Sequence, residues 1–139
     1  MKLKIIIAII VLLLIGAGYG YYQYTRGNKD LEHVKADVSI SSVSLLKEFS
    51  DNEAQANQKY LNKIIKVRGA VSAVTTDSSS AVTIALEAGD PLAMVSCQLD
   101  KNHNTDAAAV HTGDTVSING FCTGMLTDVV LVRCAVEKK

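Results

Sequence analysis

The feature that most constrains this chain is an uncharged segment that runs from residue 5 to residue 25. Residues 5–15 are almost entirely Ile, Val and Leu, and four tyrosines follow between residues 19 and 24. Because an α-helix rises about 1.5 Å per residue, the segment is long enough for the ~30 Å hydrocarbon core of a bilayer. Tyrosines are common where a bilayer meets water. We therefore expect residues 5–24 to form a transmembrane helix.

A cleaved signal peptide is the alternative, because the most apolar part is short and glycines follow it. We favour an uncleaved signal anchor, since no small-x-small cleavage motif precedes the tyrosines and residues 1–96 contain no cysteine that could carry a lipid. Lys2 and Lys4 precede the segment, so the positive-inside rule predicts that residues 1–4 are cytoplasmic. The chain is then a single-pass protein of the cytoplasmic (inner) membrane, with its C-terminal domain facing the periplasm or exterior.

The charge of the exported part argues against a nucleic-acid partner. The chain has 14 Lys and Arg against 14 Asp and Glu, and three of the cations lie in residues 1–26, which leaves 11 against 14 and a net charge of −3. Phosphate-binding domains usually have a basic surface, and single-strand binders use exposed aromatic residues. Beyond the anchor the aromatic residues are Phe49, Tyr60 and Phe121. Nucleic acid therefore remains a possible but disfavoured partner.

Two short helices are predicted at the start of the exported domain. Residues 25–40 are polar and lack a sustained apolar face, so we expect a linker there and a folded domain over residues 41–139. Ser42 can cap a helix that carries Leu45, Leu46 and Phe49. The sequence SDNE at 50–53 has capping-box spacing for a second helix that ends near residue 60.

From residue 63 the apolar pattern changes to the period of two that is typical of β-strands. The segments KIIKVRGAVSAV (63–74), AVTIALE (81–87) and LAMVSCQL (92–99) predict three strands, and residues 114–121 and 128–134 predict two more. A short helix is expected over residues 105–110. The residues expected to point inward in the first three strands are Ile65, Val67, Gly69, Val71, Val82, Ile84, Leu86, Val95, Cys97 and Leu99.

This order of elements predicts a mainly β domain with an OB-fold-like barrel of five strands, preceded by a short helix and the N-terminal transmembrane helix. Gly69 lies in the middle of the long first strand, where glycine permits a bend or a bulge. A half-open β-sandwich or meander with a packed helix is the alternative.

Four stretches of the domain also resemble one protein family. They are SLLKEF (44–49), KIIKVRGAV (63–71), VSCQL (95–99) and GDTVSINGFCTGMLTDVVLVRC (113–134). Together they are similar to the tRNA_anti-like family of exported OB-fold proteins, over about residues 40–137. The resemblance implies an OB-fold and, by the name of the family, nucleic-acid binding. It supplies no catalytic residue.

The three cysteines leave three readings open. Strand parity points Cys97, Cys122 and Cys134 inward. If residues 123–127 form a loop, Cys134 lies opposite about Val116 and is out of reach of Cys122. The third and fifth strands of an OB barrel are parallel neighbours, so Cys97–Cys134 is the candidate disulfide. The alternative, which we consider equally, is that all three cysteines are reduced and buried as small hydrophobic residues. A redox-active pair is disfavoured because no Cys-x-x-Cys motif is present.

Catalytic, metal and cofactor sites are not predicted. His103 and His111 lie among acidic residues in a polar connector, without a recognised metal-ligand spacing, so we read them as solvated loop residues. The serines at 78–80 have no catalytic context and suit a turn. We expect no enzyme activity and no cofactor.

The candidate ligand contacts are Lys66, Arg68 and Asp128. Lys66 and Arg68 point outward on the first strand, where an anion could bind. Asp128 begins the last strand, where its carboxylate could accept backbone N–H groups and fix the loop, or contact a ligand at the barrel rim. We therefore expect a membrane-anchored, non-catalytic module that binds a protein, a peptide or an envelope ligand. A nucleic-acid-binding protein is the alternative.

Overall fold

The structure is a computed structural model that describes residues 2–26 and 30–137. The elements, in chain order, are helix α1 (Lys2–Arg26), strand β1 (Val38–Ser41), helices α2 (Ser42–Asp51) and α3 (Glu53–Tyr60), strands β2 (Ile64–Thr76), β3 (Val82–Leu86) and β4 (Val95–Leu99), the 3-10 helix Lys101–Ala109, and strands β5 (Thr115–Met125) and β6 (Val129–Val136).

Helix α1 contains a stretch of 22 residues, Leu3–Tyr24, that is long and apolar enough to cross a membrane. None of its most apolar part is buried against the rest of the protein. This matches the predicted N-terminal transmembrane helix in length and composition. A signal sequence at the N-terminus would have the same properties.

Strands β2 to β6 close into a five-stranded barrel. The strand order is β2, β3, β4, β6, β5, and β5 pairs back onto β2. Strands β4 and β6 are parallel, while the other neighbours in the barrel are antiparallel. The predicted OB-fold-like connectivity is therefore confirmed. The half-open sandwich does not apply, because the pairing of β2 with β5 closes the sheet.

A sixth strand extends the sheet beyond the predicted domain. Strand β1 lies parallel to β2, with Val38 opposite Ile65 and Ser41 opposite Arg68. Leu31 is also buried. Part of the expected linker, residues 25–40, therefore packs on the barrel. The pairing with β2 satisfies the backbone hydrogen-bonding groups of β1. The segment is too short and too polar for its sequence to predict a strand. Residues 27–29 of this segment lie outside the described residues.

The core is built from the predicted inward faces of the strands. Every inward residue predicted in the first three strands is buried except Gly69, which is partly buried. The space above Gly69 is filled: a Cβ there would collide with Ser42 Oγ and would lie 3.3 Å from Leu86 Cβ. The predicted bend falls slightly later, as a register shift between Val71 and Ala73.

Helices α2 and α3 add Leu45, Leu46, Phe49, Ala56 and Tyr60 to the core. The N-cap of α2 is Ser41, whose hydroxyl accepts a hydrogen bond from Ser44 N, one residue before the predicted cap. Ser42 instead donates its hydroxyl to Glu87 O of the barrel. The second helix begins after Asn52, which caps it through Gln55 N, and it ends at Tyr60 as predicted.

Candidate functional site

An open cleft of about 910 Å³ lies beside the 3-10 helix, where β5 begins and β6 ends. Its apolar surface comes from Val110, Val116 and Val136, and its polar surface includes Thr105, Thr115 and Ser117. This volume lies within the usual range for small-molecule sites, roughly 300–1,000 Å³. The cleft is therefore a candidate ligand site.

The charged groups of the cleft are mostly acidic. They are Arg68 from β2 and the carboxylates of Asp106, Asp114 and Glu137. Asp114 accepts a hydrogen bond from His111 N, and Glu137 pairs with the Lys66 ammonium at 2.7 Å. One cation against three anions makes the lining suited to a polar or cationic ligand. A phosphate backbone would meet repulsion there.

The two predicted cations on β2 have different surroundings. Lys66 is engaged with Glu137 at the edge of the cleft. Arg68 is exposed and lines the cleft. Within residues 2–26 and 30–137, no hydrogen bond or ion pair holds the Arg68 guanidinium. Its five donors are therefore available to a ligand, and ligand binding by either residue stays a prediction.

Asp128 fixes a second surface, the barrel rim. Its carboxylate accepts hydrogen bonds from Met94 N and from Ser96 Oγ, both at 3.0 Å. These bonds tie the loop before β4 to the turn between β5 and β6. Leu92 on that loop is 84% exposed, and Leu126 on the turn is 90% exposed. Asp128 thus holds together two loops that each display an exposed leucine, and nothing in their sequence identifies these leucines as a pair.

The surface with which many OB-folds bind oligonucleotides is formed here by β3, β4 and their flanking loops. Neither strand contains a charged or an aromatic residue. The loop before β3 contributes Asp77, and the turn before β6 contributes Asp128. Affinity for single strands usually comes from bases that stack on aromatic rings and from cations that pair with phosphates. These two strands provide neither group.

The structure brings two of the three cysteines together inside the barrel. Cys97 and Cys134 are buried on the parallel neighbours β4 and β6, where Leu99 pairs with Cys134. Burial, and then the hydrogen bond and charge of Cys97, raise the pKa of the Cys134 thiol well above its ordinary value. The thiols are unbonded in this structure, so the disulfide stays a prediction.

The predicted position of Cys134 along its partner strand was wrong. Asn119 pairs with Ala135 and Phe121 with Val132, so Cys134 lies beside Gly120 and not opposite Val116. The cause is a shorter turn than expected, in which Met125 already pairs with Val129; the two register shifts further along the pair cancel before Cys134. Cys122 is a separate buried thiol, and burial raises its pKa.

The reading of His103 as a solvated loop residue was also wrong. His103 is only 5% exposed, and its ring contacts Asp30 and Asp106. Asp30 lies 73 residues away in the sequence. No local pattern could have indicated this contact. His111 is exposed, as expected.

Comparison with known proteins agrees with the architecture. A family model described as tRNA_anti-like matches residues 1–136, which confirms the resemblance. A lipoprotein of Klebsiella pneumoniae subsp. pneumoniae MGH 78578, for which nucleic-acid binding has been suggested, has a similar structure. Its TM-score is 0.60 at 21% identity, over 71% of this chain and 91% of that one.

A second solved structure is a weaker match. The S. pombe Stn1–Ten1 complex has a TM-score of 0.41 at 14% identity, over 55% of this chain and 59% of that one, and it carries no argument. No curated protein matches this chain. At this identity the lipoprotein supports the fold alone.

Proposed function

Because the chain belongs to the tRNA_anti-like family, we propose that it is a non-catalytic binding module, anchored by α1 in the cytoplasmic membrane, whose OB-fold-like barrel binds a protein or peptide outside the cytoplasm. An envelope component of similar polarity would be recognised by the same groups. The cleft beside the 3-10 helix is the observation that carries the proposal.

The cleft favours a peptide because its groups match the chemistry of a polypeptide. Arg68 can donate to a carboxylate or to backbone carbonyl groups, and Asp114 can accept from amides or cations. Val116 and Val136 offer apolar surface in the same cleft. This combination of apolar walls and a few polar groups is typical of sites that fix the orientation of a ligand.

The anchored location is supported by the length and apolar composition of α1, and the protein of similar structure is a lipoprotein. Lys2 and Lys4 would keep residues 1–4 in the cytoplasm. The periplasm or exterior would then contain the cleft, the rim and the buried cysteine pair.

The nucleophilic side chains give no basis for proposing a reaction. Among the described residues, no serine, threonine or cysteine side chain shares a hydrogen bond with a histidine, the arrangement that activates a nucleophile in most hydrolases. His103, the buried histidine, has both ring nitrogens engaged with carboxylates.

Nucleic-acid binding is the alternative, and its basis is the family name and the role suggested for the lipoprotein. The absence of aromatic and basic residues from β3 and β4 weighs against it. Lys66 and Arg68 would be the only described cations on the outer face of β2. Two cations neutralise few phosphates, so any such binding would be weak and would fall steeply with salt.

The test is site-specific photo-crosslinking in intact cells, with the crosslinker at Ser117 in the cleft or at Thr83 on β3. We expect defined protein adducts from Ser117 that disappear in Arg68→Glu and persist in Lys63→Glu, a matched charge reversal at an exposed lysine outside the cleft. Fluorescence anisotropy with single-stranded oligonucleotides should show no salt-sensitive binding. Adducts confined to Thr83, together with salt-sensitive oligonucleotide binding, would overturn the proposal.

A further inference from the structure

The segment between α1 and β1 is fastened to the barrel at defined points, and we call residues 30–37 the strap. Asp30 contacts His103 of the 3-10 helix, with 2.7 Å between Oδ1 and Nε2. Leu31 O accepts a hydrogen bond from the buried Asn119 side chain of β5. Asp37 N donates to Ile64 O, and the Asp37 carboxylate accepts from Ile64 N. The strap thus joins the membrane helix to the barrel.

The His103 contact differs from the others because its geometry requires a charged imidazole. Nδ1 lies 2.8 Å from Asp106 Oδ2, and Nε2 lies 2.7 Å from Asp30 Oδ1. Ionised carboxylates only accept hydrogen bonds, so each ring nitrogen must carry a hydrogen and donate a hydrogen bond. A neutral imidazole has one N–H and would face the second carboxylate with a lone pair. Both contacts exist together only when His103 is protonated.

A third carboxylate near His103 also favours the protonated ring. Glu32 on the strap lies 4.0 Å from Nδ1, and His33 lies near Asp30. Strands β3 and β6 pack on the 3-10 helix; β3 has no ionisable side chain, and β6 has Arg133 and Cys134. Burial by itself would lower the pKa of His103, but the hydrogen bonds with Asp106 and Asp30 and their charges outweigh it and raise the pKa.

We propose that His103 is a pH-dependent clamp that holds the strap on the barrel and so sets how far the domain can extend from the membrane. While the clamp is closed, four residue steps separate Arg26 from Asp30, a span of at most about 14 Å. If the strap detaches as far as β1, twelve steps separate Arg26 from Val38 and the span can reach at most about 42 Å. An exported domain meets the external pH directly, so this reach would respond to it.

The direction of the response follows from the raised pKa. Histidine ordinarily titrates near pH ~6.5. A group whose pKa is higher in the clamped state stabilises that state fully below its ordinary pKa, and the stabilisation is lost as the pH rises through the higher value. The strap should therefore be held below the ordinary pKa of histidine and released as the pH rises through the raised pKa of His103.

The experiment is hydrogen exchange of the full-length protein in lipid nanodiscs from pH 5.5 to 9, read by mass spectrometry on the peptide that covers the strap. After correction for the intrinsic exchange rate, protection should be constant at low pH. It should then fall by up to about tenfold per pH unit above the pKa of the clamp, because one proton is involved. Peptides from β5 and β6 serve as the internal reference, since the barrel should not respond.

Variants separate the clamp from general stability. Asp30→Asn alters a half-exposed residue outside the barrel, so the barrel should fold as before while the pH transition of the strap disappears. His111→Gln should keep the transition, because its ring lies beside Asp114 and not beside the clamp. An unchanged strap protection from pH 5.5 to 9, or a transition that survives in Asp30→Asn, would overturn the proposal. Loss of protection on adding EDTA at constant pH would also overturn it, in favour of a bound metal ion.

Discussion

Replacement of Asp128 with alanine should loosen the barrel rim by a predictable amount. The substitution removes the acceptor for two hydrogen bonds, from Met94 N and from Ser96 Oγ. Hydrogen bonds to charged groups contribute about 1.5–3 kcal/mol each. Asp128 is only partly buried, so water can replace part of both bonds. We therefore expect a loss of about 2 kcal/mol in the free energy of unfolding.

A loss of this size in the free energy of unfolding is measurable as a decrease in the melting temperature, Tm. For a domain of about 100 residues, 1 kcal/mol corresponds to roughly 4–8 °C, so Asp128→Ala should lower Tm by about 10 °C. The assay is thermal unfolding of the full-length protein in detergent, in which the β-sheet signal is monitored by circular dichroism. Asp128→Asn keeps one acceptor oxygen and should lose about half as much.

Asp90→Ala is the matched control, because the Asp90 carboxylate lies on the same loop and, among the described residues, accepts a hydrogen bond only from the nearby Leu92 N. It should change Tm little. The double variant Asp128→Ala, Ser96→Ala should be less destabilised than the sum of the two single variants, because both remove one bond. If Asp128→Ala and Asp90→Ala have the same Tm, the Asp128 carboxylate does not hold the loops together. A ligand contact then becomes the better interpretation of Asp128.

Two further predictions concern the interior of the barrel. The first is tested by mass spectrometry of full-length protein recovered from membranes, with thiols alkylated before and after reduction. If Cys97 and Cys134 form a disulfide in the cell, Cys122 should be the single free thiol. Three free thiols would make all three cysteines ordinary core residues. Gly120→Ala should cost about 1–3 kcal/mol by overpacking, because its Cβ would lie 2.6 Å from Cys134 Sγ and 2.9 Å from Leu131 Cδ2; a Tm equal to wild type would show that the core relaxes around the methyl group.

The barrel could be predicted because its information is local. Val82, Ile84 and Leu86 occupy every second position of their strand, and this period of two requires no knowledge of the partner strand. The order of the elements then selected the barrel from the few folds that connect them in this way. Strand β1 was missed because its four residues are stabilised by pairing with β2, whose sequence lies 27 positions further along.

The candidate site was predicted less completely for the same reason. Arg68 could be placed on an outward face by parity, but the cleft beside it is formed by the 3-10 helix and the end of β6. Asp128 could be given a loop-fixing role, but its partners, Met94 and Ser96, belong to another part of the barrel. Local periodicity gives the direction of a side chain and not the identity of its neighbours.

The sequence by itself determined the apolar length of α1, the strands of the barrel and the inward direction of its cysteines, because each depends on composition or spacing within one segment. The tertiary structure decided which distant residues meet: Cys134 with Cys97, Asp128 with Met94, and His103 with Asp30. These contacts depend on how the barrel closes and on the register shifts along β5 and β6. Closure and register are set by the packing of the whole core, so no single segment encodes them.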